Sequence, residues 1–435
     1  MTNKGKEFNN TFLGEKYYKI EHESGLQIFI FPKERQSSCA ILATEFGSID
    51  NRFYDENGKL VKLPDGIAHF MEHKMFDNES GESVDDIFSR LGADPNAFTS
   101  WDRTGYIFTC NSGDNYYECL GQLIDFVTKP YFTDESVEKE QGIIGQEIAM
   151  CEDDPYDRCF YGMVRGLYEK HPMRIEIVGS VDSIAKITPK MLYECHDRFY
   201  ALSNMTLIIC GSVDKDRALK VIDERIGNIE PHQLITRLYP KERVRAYQKR
   251  VEQKMAIERP LFSIGFKDSK APNDPIERRK RQILSEILTG VIFSSSNQLY
   301  TSLFKRGIMT SPFSYGEDYG KTFAFCYASG ECDDPELLLN EVKKYIKNLK
   351  RRGINKDDFE RRKKIIYASD IKMYDSTWEI ANALFDNAFL GIDIFEESEM
   401  LQGLTLEDAN AHLNELFRES NMTCSVILPN ADTNQ

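Results

Sequence analysis

The 435-residue chain has no Cys-x-x-Cys pair, no apolar run of membrane-spanning length and no hydrophobic stretch behind its first residues, Met1-Thr2-Asn3-Lys4. Its 10 cysteines are scattered, and Cys39, Cys110 and Cys210 lie inside apolar, strand-like runs. They read as buried free thiols of a reducing compartment, not as a disulfide framework. Without a signal-type segment or a membrane anchor, the cytoplasm is the expected location. Positive charge is also in deficit. Asp and Glu number 70 against 55 Lys and Arg, for a net charge of −15. That balance argues against nucleic acid and anionic membrane surfaces as partners. It leaves room for a neutral or basic peptide, and equally for ordinary solubility. Histidine is scarce, at 7 residues.

What is present is enough to build more than one core. A hydrophobic content of 41% over 435 residues implies two or more domains. The densest chemistry lies in Asp65-Gly66-Ile67-Ala68-His69-Phe70-Met71-Glu72-His73-Lys74-Met75-Phe76, which contains H-x-x-E-H. On a helix, His69 and His73 share one face and can converge on one ion. Glu72 lies on the same side, within reach of a water on that ion. Pro64 and Gly66 mark the preceding loop, and Asp65 is the expected N-cap. Two histidines on a helix face also describe a surface pair or satisfied core groups, so the motif needs a third ligand to carry weight. Glu140 and Glu147 lie downstream, Glu147 74 residues after His73. They are seven apart and share a helix face, which a solvated acidic helix would also give. A catalytic zinc takes three protein ligands and leaves a position open.

H-x-x-E-H followed some seventy residues later by E-x6-E resembles the pitrilysin/insulinase-type zinc peptidases, including the smaller processing-peptidase-like members. The resemblance implies Zn2+ held by His69, His73 and Glu147, with Glu72 as general base and Glu140 as an acid behind the ligands. It also implies that Asn96 and Ala97, in Gly92-Ala93-Asp94-Pro95-Asn96-Ala97-Phe98, contact the backbone of a peptide added as a strand. A hairpin with no ligand is the plainer reading of that segment.

The rest of the chain reads as α/β. Strands are expected at Leu26–Pro32, Cys39–Gly47, Thr104–Cys110 and Asn204–Gly211, and helices at 115–128, 157–170 and 189–200. His171 and His196 read as structural. Ser203-Asn204-Met205-Thr206 recurs as Ser420-Asn421-Met422-Thr423, an offset of 217. With the order of strands, this points to duplication of an α/β unit. The expected fold is therefore α+β: two homologous α/β domains that, by resemblance, enclose a peptide chamber. The domain division is 1–230 with the metal motif, a linker at 231–250, and 251–435 without the motif. In the second half Gln282–Leu288 takes the place of the metal helix and has no histidine.

One departure stands out. Family resemblance places a substrate-binding Arg and Tyr around Lys305-Arg306-Gly307, where this chain has Leu303 and Thr310. Arg306 and Tyr315 are shifted alternatives. Two functional readings follow. The first is a zinc metallopeptidase hydrolysing extended or unstructured peptides. The second is a non-catalytic or partner-dependent zinc-bearing subunit that binds peptide or scaffolds a homologous chain, with a homologous partner in a heterodimer supplying Arg and Tyr.

Overall fold

The computed structural model describes residues 5–55, 57–227 and 235–430. A seven-stranded sheet carries the first unit. Its order is Lys6–Asn10, Glu15–Glu21, Gln27–Pro32, Met205–Gly211, Ser37–Thr44, Thr104–Asn111 and Ala93–Thr99. Ile28, Phe29, Ile30 and Phe31 are all buried, so this strand is covered on both faces. One face carries Tyr17, Phe29, Phe31, Ile41 and Ile208, packed against Ile380, Leu384 and Phe385. Those last three come from the helix Thr377–Leu390, whose sequence lies in the second half.

The second unit has a five-stranded sheet: Arg250–Met255, Met422–Pro429, Leu261–Lys267, Ala324–Glu331 and Ser314–Tyr319. Its order and directions repeat those of the last five strands of the first sheet. Each begins with one parallel pair and continues with three antiparallel ones. The strands starting at Met205 and Met422 occupy the same place in each, at the offset of the sequence repeat. The fold is thus α+β and duplicated. The helix Pro155–Leu167 lies on the second sheet, and Gly162 and Gly166 bring it close. A Cβ on either would sit 2.3 Å from the hydroxyl of Ser425 or Thr423.

The compact units cut across the sequence halves. The first comprises Met1–Ile148, Glu176–Leu238 and Ile371–Phe395; the second comprises Ala149–Ile175, Tyr239–Asp370 and Glu396–Gln435. An amphipathic pattern states that a helix buries one face but not against which sheet, so this exchange of segments is absent from the sequence pattern. The expected linker is not free chain. Its residues 231–234 lie outside the described residues. Thr236–Arg237 pairs as a short strand with Arg52–Tyr54, and Arg237 forms an ion pair with buried Asp50 at 3.1 Å. All ten cysteines are free thiols, nine of them buried. Among the described residues no helix is long and apolar enough to cross a membrane.

Candidate metal centre

The histidine helix spans Ile67–Lys74, and its start differs from the sequence expectation. Gly66, not Asp65, is the N-cap, at φ 88°. That left-handed turn packs against Val178 and Gly179, where a Cβ would lie 2.6 Å from the Val178 carbonyl oxygen. Asp65 is thereby turned to another task. Its carboxylate accepts from the Asn51 amide at 2.8 Å, and its carbonyl accepts from the Ser183 hydroxyl at 2.7 Å. The helix buries Ile67, Ala68, Phe70 and Met71 and leaves His73 and Glu72 half-buried.

The glutamate helix spans Asp134–Asp153 and buries Val137, Ile144 and Ile148. Its carboxylates meet the histidines. Glu147 Oε1 lies 3.5 Å from His69 Nε2, and Glu147 Oε2 lies 3.7 Å from His73 Nε2. These separations are long for hydrogen bonds. They suit donors that share an ion: atoms bound at about 2.0–2.2 Å around a tetrahedral zinc lie roughly 3.4 Å apart. Among the described residues, His69, His73 and Glu147 are the only group of three or more His, Cys, Asp or Glu whose donor atoms fall within 4.8 Å of one another. Two imidazoles and one carboxylate form a donor set that fits zinc with a position to spare.

Glu140 takes a different place. Its Oε1 lies 3.0 Å from His73 Nδ1, so a proton on Nδ1 leaves Nε2 with its lone pair toward Glu147. Glu140 raises the His73 pKa, chiefly through this hydrogen bond and against burial. Burial alone would push Glu140 up, but His73 and then Lys74 hold its carboxyl below the usual range. His69, foremost, and His73 hold Glu147 low as well. The other ring nitrogen of His69, Nδ1, is buried without a hydrogen-bond partner.

Glu72 precedes His73 on the same helix. Its charge reaches a buried pair of hydroxyls, Tyr106 and Tyr200, which are 2.7 Å apart. Burial above all, then the neighbouring Tyr200 and Glu72, pushes the Tyr106 pKa far up. Neither tyrosine stands out in the sequence, and nothing but tertiary packing brings them here. Asn96 and Ala97 lie on Ala93–Thr99, the last strand of the first sheet, which also contacts the histidine helix. Asn96 is exposed, and its side-chain oxygen accepts from the Ala97 N–H at 2.8 Å. That N–H is therefore not committed to the neighbouring strand.

In the second unit, Leu303 is fully buried, and Thr310 accepts from Arg259 at 2.6 Å. Arg306 pairs with Glu341 at 3.1 Å, and the Tyr315 hydroxyl lies 2.7 Å from Arg362, which donates to it. His171 lies 3.0 Å from Thr322 Oγ1, and His196 lies 3.0 Å from the Val127 carbonyl. Both are buried, and neither belongs to the His69, His73 and Glu147 group.

A duplicated α/β chain whose first unit alone gathers an inverted H-x-x-E-H and a distant glutamate defines the inverted-motif metallopeptidase class. Comparison with known proteins narrows it. Residues 59–180 match the family described as Insulinase (Peptidase family M16), and residues 186–366 match Peptidase M16 inactive domain. The chain is 36% identical over 428 residues to YmfH of Bacillus subtilis, described as an uncharacterized zinc protease, covering 96% of this chain and 97% of that one. A solved chain from Alicyclobacillus acidocaldarius, described as M16-like, superposes with a TM-score of 0.91 at 32% identity, over 96% of this chain and 99% of that one. Pitrilysin shares the fold at a TM-score of 0.73 and 17% identity, over 98% of this chain and 46% of its own length. The chain belongs to the insulinase family, peptidase family M16.

Proposed function

We propose that this chain is a zinc-dependent endopeptidase for extended, unstructured peptides. The observation that carries the reading is the convergence of His69 Nε2, His73 Nε2 and the Glu147 carboxylate in one group, with Glu72 on the same helix. Zinc held by those three residues would supply a Lewis acid for the scissile carbonyl and acidify a water beside it. Glu72 is the general base: its carboxylate takes a proton from the attacking water and returns it to the leaving amine. Glu140 orients His73. The edge strand at Asn96 and Ala97 holds the peptide extended by adding it as a strand. Ten unbridged thiols favour a reducing compartment, and the cytoplasm is the proposed location.

A second reading rests on Leu303 and Thr310. A buried leucine offers no hydrogen bond to a peptide, and Thr310 is already engaged by Arg259. On this reading the chain depends on a homologous partner, as a heterodimer, for full activity, or serves as a non-catalytic zinc-bearing subunit. The test is hydrolysis of a quenched, unstructured peptide by the zinc-loaded chain, alone and with a homologous chain encoded nearby. Chelator-sensitive cleavage by the chain alone supports the first reading. Cleavage only with the partner supports the second. Zinc binding without cleavage in either case leaves a non-catalytic subunit and overturns the peptidase proposal.

A further inference from the structure

Lys74 directly follows the second histidine, and its side chain is 2% exposed. An ammonium group removed from water is costly unless it is paired. Three groups meet it. Asp77 pairs with Nζ from the following turn, the Ser136 carbonyl accepts at 3.3 Å, and Glu140 Oε2 lies 3.9 Å away. Ser136 and Glu140 both belong to the glutamate helix. Lys74 thus ties the helix that carries His69 and His73 to the one that carries Glu147. One residue on from His73 means about 100° around the helix, so the lysine approaches Glu140 from a direction the imidazole does not occupy.

The two oxygens of Glu140 are divided between these neighbours. Oε1 faces His73 Nδ1 at 3.0 Å, and Oε2 faces Lys74. At 3.9 Å the second contact is a charge attraction, not a hydrogen bond, and it restrains the rotation that a carboxylate held at one oxygen retains. Glu140 and Glu147 are also chemically identical carboxylates on one helix face, two turns apart. Some feature must direct one to the imidazole and leave the other for the ion.

We propose that Lys74 is that feature: a positioning residue that clamps Glu140 onto His73, fixes the tautomer of that imidazole and reserves the metal for Glu147. The proposal rests on reading His69, His73 and Glu147 as the metal site. Lys74 itself touches neither metal nor substrate. It acts through Glu140, and its effect is visible only where Glu140 is present.

The test is a double-variant cycle on zinc affinity, measured by chelator competition on the full chain. Glu140→Gln should weaken zinc binding by about 10–100-fold, the range for losing a partner behind a ligand. Lys74→Met should weaken it by about 10-fold. The double variant should bind no more weakly than Glu140→Gln alone, since the lysine has then lost its object. Lys74→Gln serves as a second neutral variant, retaining a donor, and a melting curve reports folding for each. Affinity within about twofold of wild type in a folded Lys74 variant, or multiplying losses in the double variant, overturns the clamp. Failure of both Lys74 variants to fold assigns the residue to the fold alone and overturns it as well. A wild-type chain that binds no zinc fails the parent reading instead, a result distinct from all of these.

Discussion

A carboxylate and its amide differ by one proton-accepting oxygen, and Glu72 is where that difference matters most in this chain. Glu72→Gln keeps the size of the side chain and removes the proposed base. We expect zinc content to stay at the wild-type level while the rate of peptide hydrolysis falls by at least about 10²-fold. Metal analysis and turnover of the same preparation check this; normal turnover would mean another base is used. The residues around it were unequally legible. His69, Glu72 and His73 declare themselves because histidine is rare here and the spacing matches a helix turn. Lys74 does not, because its meaning comes from Glu140, which reaches it only when two helices pack. The cap expected at Asp65 is displaced for a related reason. The helix start is set by the left-handed Gly66, and a positive φ one residue later is not written in the Asp itself.

At the scale of elements, the start of the histidine helix and the edge strand each make a commitment. A Cβ at Gly66 meets the Val178 carbonyl, whereas Gly81, also at positive φ, has nothing within 4 Å of its Cβ position. Both substitutions to alanine incur left-handed strain of about 1–2 kcal/mol. Gly66→Ala adds a backbone clash at the root of the metal helix. It should therefore destabilise more than Gly81→Ala in urea unfolding and also weaken zinc binding. Equal losses in the two variants would show that the close packing at Gly66 is slack. On the edge strand, Ala97→Pro removes the N–H that Asn96 now occupies. Proline is tolerated on edges, so folding and zinc content should hold. One lost backbone hydrogen bond of about 0.5–1.5 kcal/mol should raise KM roughly 2–10-fold with kcat little changed. An unaltered KM would remove Ala97 from the substrate contacts. Periodicity and turn residues made most strands and helices legible. The sheet each helix covers was not, as Pro155–Leu167 and Thr377–Leu390 show.

Across the whole molecule, acid is the expected weakness. His412 is buried with Nε2 2.7 Å from Ser285 Oγ, and its pKa is lowered to about 4 by burial first and by Arg281 second. His171 is lowered to about 4 too, again chiefly by burial. A depressed histidine is neutral when folded and protonates more readily when unfolded. Its contribution is present above the ordinary value near 6.5 and is lost as pH falls toward about 4. Each loss is as much as ~3 kcal/mol. Urea unfolding at pH 7 and pH 4.5 should show His412→Gln, which cannot titrate, losing less stability between the two than wild type does. Parallel losses would contradict this. Duplication was legible from a four-residue repeat and the order of strands, and the two sheets share five strands in the same order. Whether His69, His73 and Glu147 hold the ion is measured directly by anomalous diffraction at the zinc edge from crystals grown with Zn2+. The expected result is a peak bounded by the two Nε2 atoms and the Glu147 carboxylate, with Glu140 on His73 Nδ1. A peak bound by Glu140 with Glu147 turned away, or no peak among these residues, would contradict it.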